Sequence, residues 1–398
     1  MTCYIHIGLE KTGTTTIQTV LKENLKILNK NNFCYPDISI QSRIQILGYI
    51  TPKLDPYSMV NKITTDQTLQ EFKEKLVADI KKTILDNPLK DFIFSHELIQ
   101  SRLTQKEEII AFKENLEQLG FSKFKIIIYI RNQADLFASM VSQSLKNGLP
   151  EDESFIVAPG NEYMSFVLNH KQTLEWWGDV FGRESLIVRI FDAKEFIDND
   201  LISDFLHILG LKKDGFKCVG ETNKALSVFG AEICRRINAK FPWFIDDRFN
   251  KQRYLLVTLS SIYLSADNKT LETQKFMPPK DIYTTYLDYY KDCNEWVRKE
   301  FFKDKKDLFI NPDMSKYKEN YKIEGKDILL DNIANLLIHL AKRVNFSQPI
   351  RETIRETIRE TIREMDARKE GKIKKLKRKI KASLKNKEGV YFWKTKKS

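Results

Sequence analysis

The sequence predicts an α/β fold, a parallel sheet flanked by helices. Three observations carry this. Short β-branched apolar runs alternate with stretches of helical spacing, the pattern of strand–helix–strand units. One run, Lys125-Ile126-Ile127-Ile128-Tyr129-Ile130, is apolar at consecutive positions, as expected of a central strand buried on both faces. The 398 residues are 42% hydrophobic and 11% aromatic, enough for a sizeable core and far from the composition of a disordered chain.

In chain order, Tyr4–Ile7 reads as a first strand, and Thr15–Leu28 follows with apolar residues at Ile17, Leu21, Leu25 and Leu28 on one helical face. Leu69–Leu85 is a second amphipathic helix, stopped by Asn87-Pro88. Phe92–Phe94 is a strand, Ile109–Leu119 a helix ended by Gly120, Ala134–Leu145 a helix after the central strand, and Leu186–Ile190 a later strand. Gly148–Gly160 reads as a surface loop. Beyond residue 228 the pattern is helical and aromatic, in Phe229–Phe241, Ile282–Phe302 and Ile328–Val344, which we expect to complete the same domain.

Charge divides the chain. Sixty-six Lys and Arg face 54 Asp and Glu, a net +12, yet Met365–Ser398 alone holds fourteen basic and three acidic residues. The remainder carries only +1, so the basic balance belongs to a tail and says little about the body's ligand. Before the tail, Arg-Glu-Thr-Ile occurs three times from Arg351 to Ile362. At roughly 100° per residue a four-residue period advances about 40°, leaving Ile354, Ile358 and Ile362 as a slowly winding stripe. We therefore expect a body over 1–346 and a repeat with polybasic tail, helical or disordered, over 347–398. Within the tail, Ile373, Leu376, Ile380 and Leu384 share one face of a basic amphipathic helix, followed by Tyr391-Phe392-Trp393, a pattern suited to an anionic membrane surface. A charge run of this kind is equally well a solvated arm.

Five scattered cysteines without a Cys-x-x-Cys pair argue against a disulfide scaffold or structural zinc site. His6, His170, His207 and His339 lack metal-ligand spacing and are expected to be structural, so no metal is expected. The first strand begins at Cys3 without a signal-peptide pattern, and we expect a cytoplasmic protein. Trp176-Trp177 is expected to pack a helix rather than stack on sugar, because adjacent helical residues cannot face one direction.

The chemistry concentrates in two segments. Gly8-Leu9-Glu10-Lys11-Thr12-Gly13-Thr14-Thr15-Thr16 lies between the first strand and first helix, where backbone N–H groups at a helix N-terminus form an anion site and Lys11 adds a mobile charge. In the nucleoside-triphosphate loop the Lys follows the last Gly directly; here Thr14 holds that slot, and no strand ends in an evident magnesium-holding Asp. A plain helix cap would explain one threonine, not three consecutive β-branched residues. The second segment sets Arg131 at the carboxyl end of the central strand, where open α/β sheets bind ligands, and Ser139 eight residues on in the next helix. An Arg fork with a hydroxyl suits a second phosphate.

Together the two segments resemble the binding loops of sulfotransferases that use 3'-phosphoadenosine 5'-phosphosulfate (PAPS). In that family a Lys-x-Gly-Thr-Thr loop holds the 5'-phosphosulfate, and an Arg followed eight residues later by Ser holds the 3'-phosphate. Lys11, Thr12, Gly13, Thr14, Thr15 and Thr16 match the first, Arg131 and Ser139 the second; the usual Pro after Arg-Asn is Gln133 here. Weaker likeness to bacterial members runs through Phe181–Leu211 and Thr222–Ser227, so the resemblance spans about residues 3 to 240. It implies a P-loop-type parallel sheet and transfer of a sulfuryl group to a hydroxyl or amine of a glycan such as capsule or lipopolysaccharide. Lys11 would stabilise the leaving phosphate. The base is expected at the end of the Phe92–Phe94 strand, where the family places His or Glu: Glu97 is favoured, and His96 is the alternative. Two other classes remain: a nucleotide-dependent small-molecule kinase, disfavoured by the displaced Lys, and a non-enzymatic nucleic-acid or membrane binder. No nucleic-acid signature accompanies the tail's charge.

Overall fold

The computed structural model of the chain describes residues 1–53, 58, 61–148, 159, 162–218, 225–241, 244–245, 248–249, 266, 274–310, 314, 330–335 and 337–338. The repeat, the polybasic tail, most of the expected 148–160 loop and part of the 328–344 helix lie outside them.

Five strands, β1 (Thr2–Gly8), β2 (Phe33–Cys34), β3 (Asp91–Ser95), β4 (Lys123–Ile130) and β5 (Leu186–Ile190), form one sheet in the order β2-β3-β1-β4-β5, every pair parallel. Alternation of side chains divides its residues between two cores. Cys3, Ile5 and Ile7 of β1, Phe92 and Phe94 of β3, and Ile126, Ile128 and Ile130 of β4 enter the larger one. Ile93, Ile127 and Tyr129 enter the smaller, against Ile17, Val20, Leu21 and Phe205. The three consecutive isoleucines of β4 are thus all buried, each contributing about 1.5–3 kcal/mol.

The helices follow the expected order with two divisions. The predicted Thr15–Leu28 helix is two, α1 (Thr14–Glu23) and α2 (Leu25–Lys30), separated by Asn24. The Asn24 side chain explains the break: its amide donates to the carbonyls of Val20 (2.7 Å) and Lys217 (3.0 Å), and its oxygen accepts from the Lys217 N–H (2.8 Å). Then come α3 (Asp66–Asp86), α4 (Lys106–Gln118), α5 (Gln133–Asn147), α6 (His170–Phe181), α7 (Leu201–Ile208) and α8 (Val228–Lys240). The predicted Ile282–Phe302 helix is also two, α9 (Lys280–Tyr289) and α10 (Lys291–Phe301), divided at the buried Tyr290, whose ring stacks on Tyr286. Side chains of α8, α9 and α10 join the larger core, as do Leu330, Ala334 and Leu337. Trp177 is buried against Phe112 and Phe181, and Trp176 packs on Phe166, so the pair serves packing.

β1 sits mid-sheet while the chain runs from it to β2 and β3 on one side and to β4 and β5 on the other. A crevice at the carboxyl ends of the central strands is the consequence, and it is where ligands bind in such sheets. Among the described residues no helix is long and apolar enough to cross a membrane.

Candidate functional site

Single hydrogen bonds extend the ladder past three strand ends and set the order of the site along the sheet edge. The Leu9 N–H donates to the Tyr129 carbonyl (3.2 Å), the His96 N–H to the His6 carbonyl (3.1 Å), and the Phe191 N–H to the Ile130 carbonyl (2.7 Å). His96 and Glu97 after β3, the Lys11 loop after β1, Arg131 after β4 and Phe191 after β5 are therefore neighbours, though remote in sequence.

The loop after β1 is tightly determined. Lys11 adopts φ 63° and Gly13 φ 76°, both left-handed, a costly conformation for the lysine that the surroundings must hold. Thr12 is buried, and its hydroxyl donates to the Leu9 carbonyl (2.6 Å), bracing the loop from inside. Gly13 admits no side chain on two counts: its φ, and a Cβ that would stand 2.3 Å from Leu201 Cδ2 and 3.1 Å from Phe191 Cε2. As N-cap of α1 it brings no side-chain cap, and its carbonyl already accepts from Thr16 (3.0 Å) and Ile17 (3.2 Å). The first-turn N–H groups belong to Thr14, Thr15 and Thr16: Thr14 is buried, Thr15 exposed and Thr16 half-buried.

The two predicted binding segments touch. Arg131 Nη1 donates to the Lys11 carbonyl at 3.0 Å, and the guanidinium lies 5.5 Å from the centre of the Phe191 ring. The Arg131 carbonyl is bonded to His170 Nε2 (2.7 Å), a buried imidazole whose proton affinity burial pushes down to about 4. Asn132 caps α5 by accepting from Ala134 (3.0 Å), and the Asp135 carboxylate accepts from the Tyr283 hydroxyl (2.9 Å). Ser139 follows, half-buried, on α5.

Across the crevice, Glu97 Oε2 accepts from the Gln18 side-chain amide of α1 at 2.7 Å. Burial pushes this carboxyl up; adjacent His96, its own backbone N–H and Gln18 outweigh that, so it stays below the usual value. Burial also lowers His96, against the pull of Glu97 and Glu10. Both are unprotonated near neutrality and able to accept a proton. Below them His6, also held down to about 4 by burial, bonds through Nδ1 to Ser95 Oγ (2.8 Å) between the rings of Tyr129 and Phe205.

Besides Gln18, four residues outside the sequence-based set belong here. Lys11 Nζ donates to Gln143 Oε1 of α5 (3.1 Å). Lys146, three residues on, is buried and pushed down to about 8, by burial first and then by Lys11. Lys275, paired across an antiparallel bridge with Ser227, is lowered by burial and then by Arg131. Phe191 shields Gly13 and Arg131. Ser139, Gln143 and Lys146, spaced four and three apart, form one helical stripe, a signal present in the sequence; Lys275 has no local signal. Lys11 itself is lowered by burial, raised by Glu10, lowered by Arg131 and raised by Glu97. A cluster of cations that depress one another fits a multiply charged anion, which would relieve their repulsion. Among the described residues no three His, Cys, Asp or Glu side chains converge as metal ligands.

The model of the sulfotransferase domain family matches residues 4–183. A curated relative, an uncharacterized protein of Archaeoglobus fulgidus, is 26% identical over 202 residues, 49% of this chain and 52% of that protein. The chain thus spans about half the length of the curated relative it matches. Among solved structures, the crystal structure of a sulfotransferase from Alicyclobacillus acidocaldarius aligns with 54% of this chain and 82% of its own at 16% identity and TM-score 0.34.

Proposed function

We propose, from the match of residues 4–183 to the sulfotransferase domain family, that the chain moves a sulfuryl group from PAPS to a hydroxyl or amine of a glycan such as capsule or lipopolysaccharide. The observation that carries this reading is the bond from Arg131 to the Lys11 carbonyl, which joins two anion-binding segments 120 residues apart into one cradle. The donor, once bound, supplies the activated sulfuryl group; the protein positions it and stabilises charge. The amides of Thr14–Thr16 and the ammonium of Lys11 would hold its 5' end, and Arg131 with Ser139 its 3'-phosphate. Lys11 would neutralise the leaving oxygen. Glu97, held by Gln18, would take the acceptor's proton, with His96 as the alternative.

We assign this chemistry to a body over 1–346. The tail over 347–398, outside the described residues, is read as a peripheral contact with an anionic membrane face, where lipid-carried glycans would be within reach. Truncation after Phe346 should abolish sedimentation with anionic vesicles at low salt and spare activity on a soluble acceptor.

Thermal shift tests the donor. Adenosine 3',5'-bisphosphate should stabilise the protein without magnesium. Stabilisation only by ATP with magnesium would replace this reading with that of a kinase. Transfer of labelled sulfate from PAPS to a crude glycan extract, followed by mass analysis of the product, tests the acceptor.

A further inference from the structure

The Lys11 ammonium does not end in open crevice. Its Nζ donates to Gln143 Oε1 at 3.1 Å, and the Gln143 amide nitrogen donates to Asn147 Oδ1 at 2.8 Å, which fixes which end of the Gln143 amide faces the lysine. This stretch of α5 is itself pinned: Ser142 Oγ accepts from the Leu226 N–H (3.2 Å), and the Asn238 amide donates to the Leu145 carbonyl (3.0 Å). Lys146 lies on the same face, 3% exposed.

We propose that Gln143, tied down by Asn147, is the positioning residue for Lys11. The role given to Lys11 rests on the sulfuryl-transfer reading; its attachment to Gln143 does not. A lysine carries a long flexible stem, and leaving four rotors free in a site that needs one orientation costs both rate and affinity. A neutral acceptor suits the purpose, because it orients the ammonium without neutralising it. A carboxylate in its place would compete with the anion that Lys11 serves. The charged groups facing Lys11 are Glu10 from its own loop, Glu97 from the end of β3, Arg131 from the end of β4 and Lys146 from α5. Against this balanced background the Gln143 carbonyl favours the protonated amine.

The bond acts on the proton affinity of the amine, which makes the proposal testable without turnover. Competitive labelling of full-length protein with acetic anhydride across a pH series, read peptide by peptide, gives the proton affinity of the Lys11 amine. In Gln143→Met it should fall by about one pH unit, since a hydrogen bond to a charged group is lost. In Gln143→Glu it should rise. Asn147→Ala, which leaves both cations and the Gln143 carbonyl in place, should produce a smaller fall. General loosening of the site would move every variant upward, toward an ordinary lysine. An unchanged or raised value in Gln143→Met, with the fold intact by circular dichroism, overturns the proposal.

Kinetics give the second readout. Gln143→Met should lower kcat about tenfold with affinity for adenosine 3',5'-bisphosphate lowered much less, and Gln143→Glu should also lose kcat. Lys11→Ala separates the two ideas. If that variant retains activity, the transfer role of Lys11 falls while labelling still decides the attachment. If it is inactive but Gln143→Met is normal in rate and labelling, only the positioning proposal falls.

Discussion

The two sides of the crevice are held in different ways. On the side of Lys11 and Arg131 the bonds that fix the loop itself end on main-chain oxygens: Arg131 on the Lys11 carbonyl, His170 on the Arg131 carbonyl, Thr12 on the Leu9 carbonyl; only the Lys11 ammonium is held by a side chain, Gln143. On the side of His96 and Glu97 the charged group is held by another side chain, the Gln18 amide, and its proton affinity depends on the neighbouring imidazole. A frame fixed through its backbone keeps its shape when a side chain is changed. A pair fixed side chain to side chain transmits any change to its partner's charge. The first side should therefore lose single functions cleanly, and the second should show coupled pH effects.

The largest expected effect tests the second side. Glu97→Gln keeps the bond geometry available to Gln18 but removes the base, and should cost about 10²–10⁴-fold in kcat. Near-normal turnover there, with collapse in His96→Ala, would transfer the role to the histidine. Next, Lys11→Ala should lose about 10²–10³-fold in kcat while the melting temperature stays close to that of the parent, since the loop is braced by Thr12 and Arg131. A large drop in melting temperature would break the contrast drawn above. Arg131→Ala removes a charged contact and should weaken affinity for adenosine 3',5'-bisphosphate about ten- to a hundredfold by calorimetry. Ser139→Ala should weaken it less; unchanged affinity in both would remove this half of the donor site. The smallest effect is the most diagnostic of coupling. The Gln18 amide favours ionised Glu97, so in Gln18→Leu the carboxyl rises and the acid limb of the pH–rate profile moves to higher pH. An unmoved limb would mean that Glu97 does not govern it.

Much of the architecture was legible because burial on both faces leaves an unambiguous pattern. The β4 isoleucines fall where the sequence puts them, and so does the half-buried edge strand Leu186–Ile190, read from its β-branched run. β2, only Phe33-Cys34, is too short to show periodicity. The two divided helices hid their breaks for a different reason: Asn24 and Tyr290 interrupt spacing that continues on either side, and what stops the helix at Asn24 is a partner nearly two hundred residues away, the Lys217 backbone. The site was legible where its residues are contiguous, as in the Lys11 loop. Gln18, Gln143 and Lys146 escaped because amides and lysines on helices look like solvated positions until the tertiary fold turns them inward.

The strand order has a consequence for how the molecule forms. Among the strands β1 is made first, yet it lies between two that are made much later: Cys3 pairs with Phe92, and Thr2 with Lys123. On a ribosome moving at about 5–20 residues per second, roughly 6–25 s separate synthesis of β1 from that of β4. Throughout that interval Ile5 and Ile7 have no lasting cover, and the glycine-rich segment after them has nothing to brace against. Such long-range closure makes for slow folding. The crevice is consequently the last part of the sheet edge to acquire its shape, and a nascent chain arrested before residue 130 would carry the whole Lys11 loop and none of its geometry.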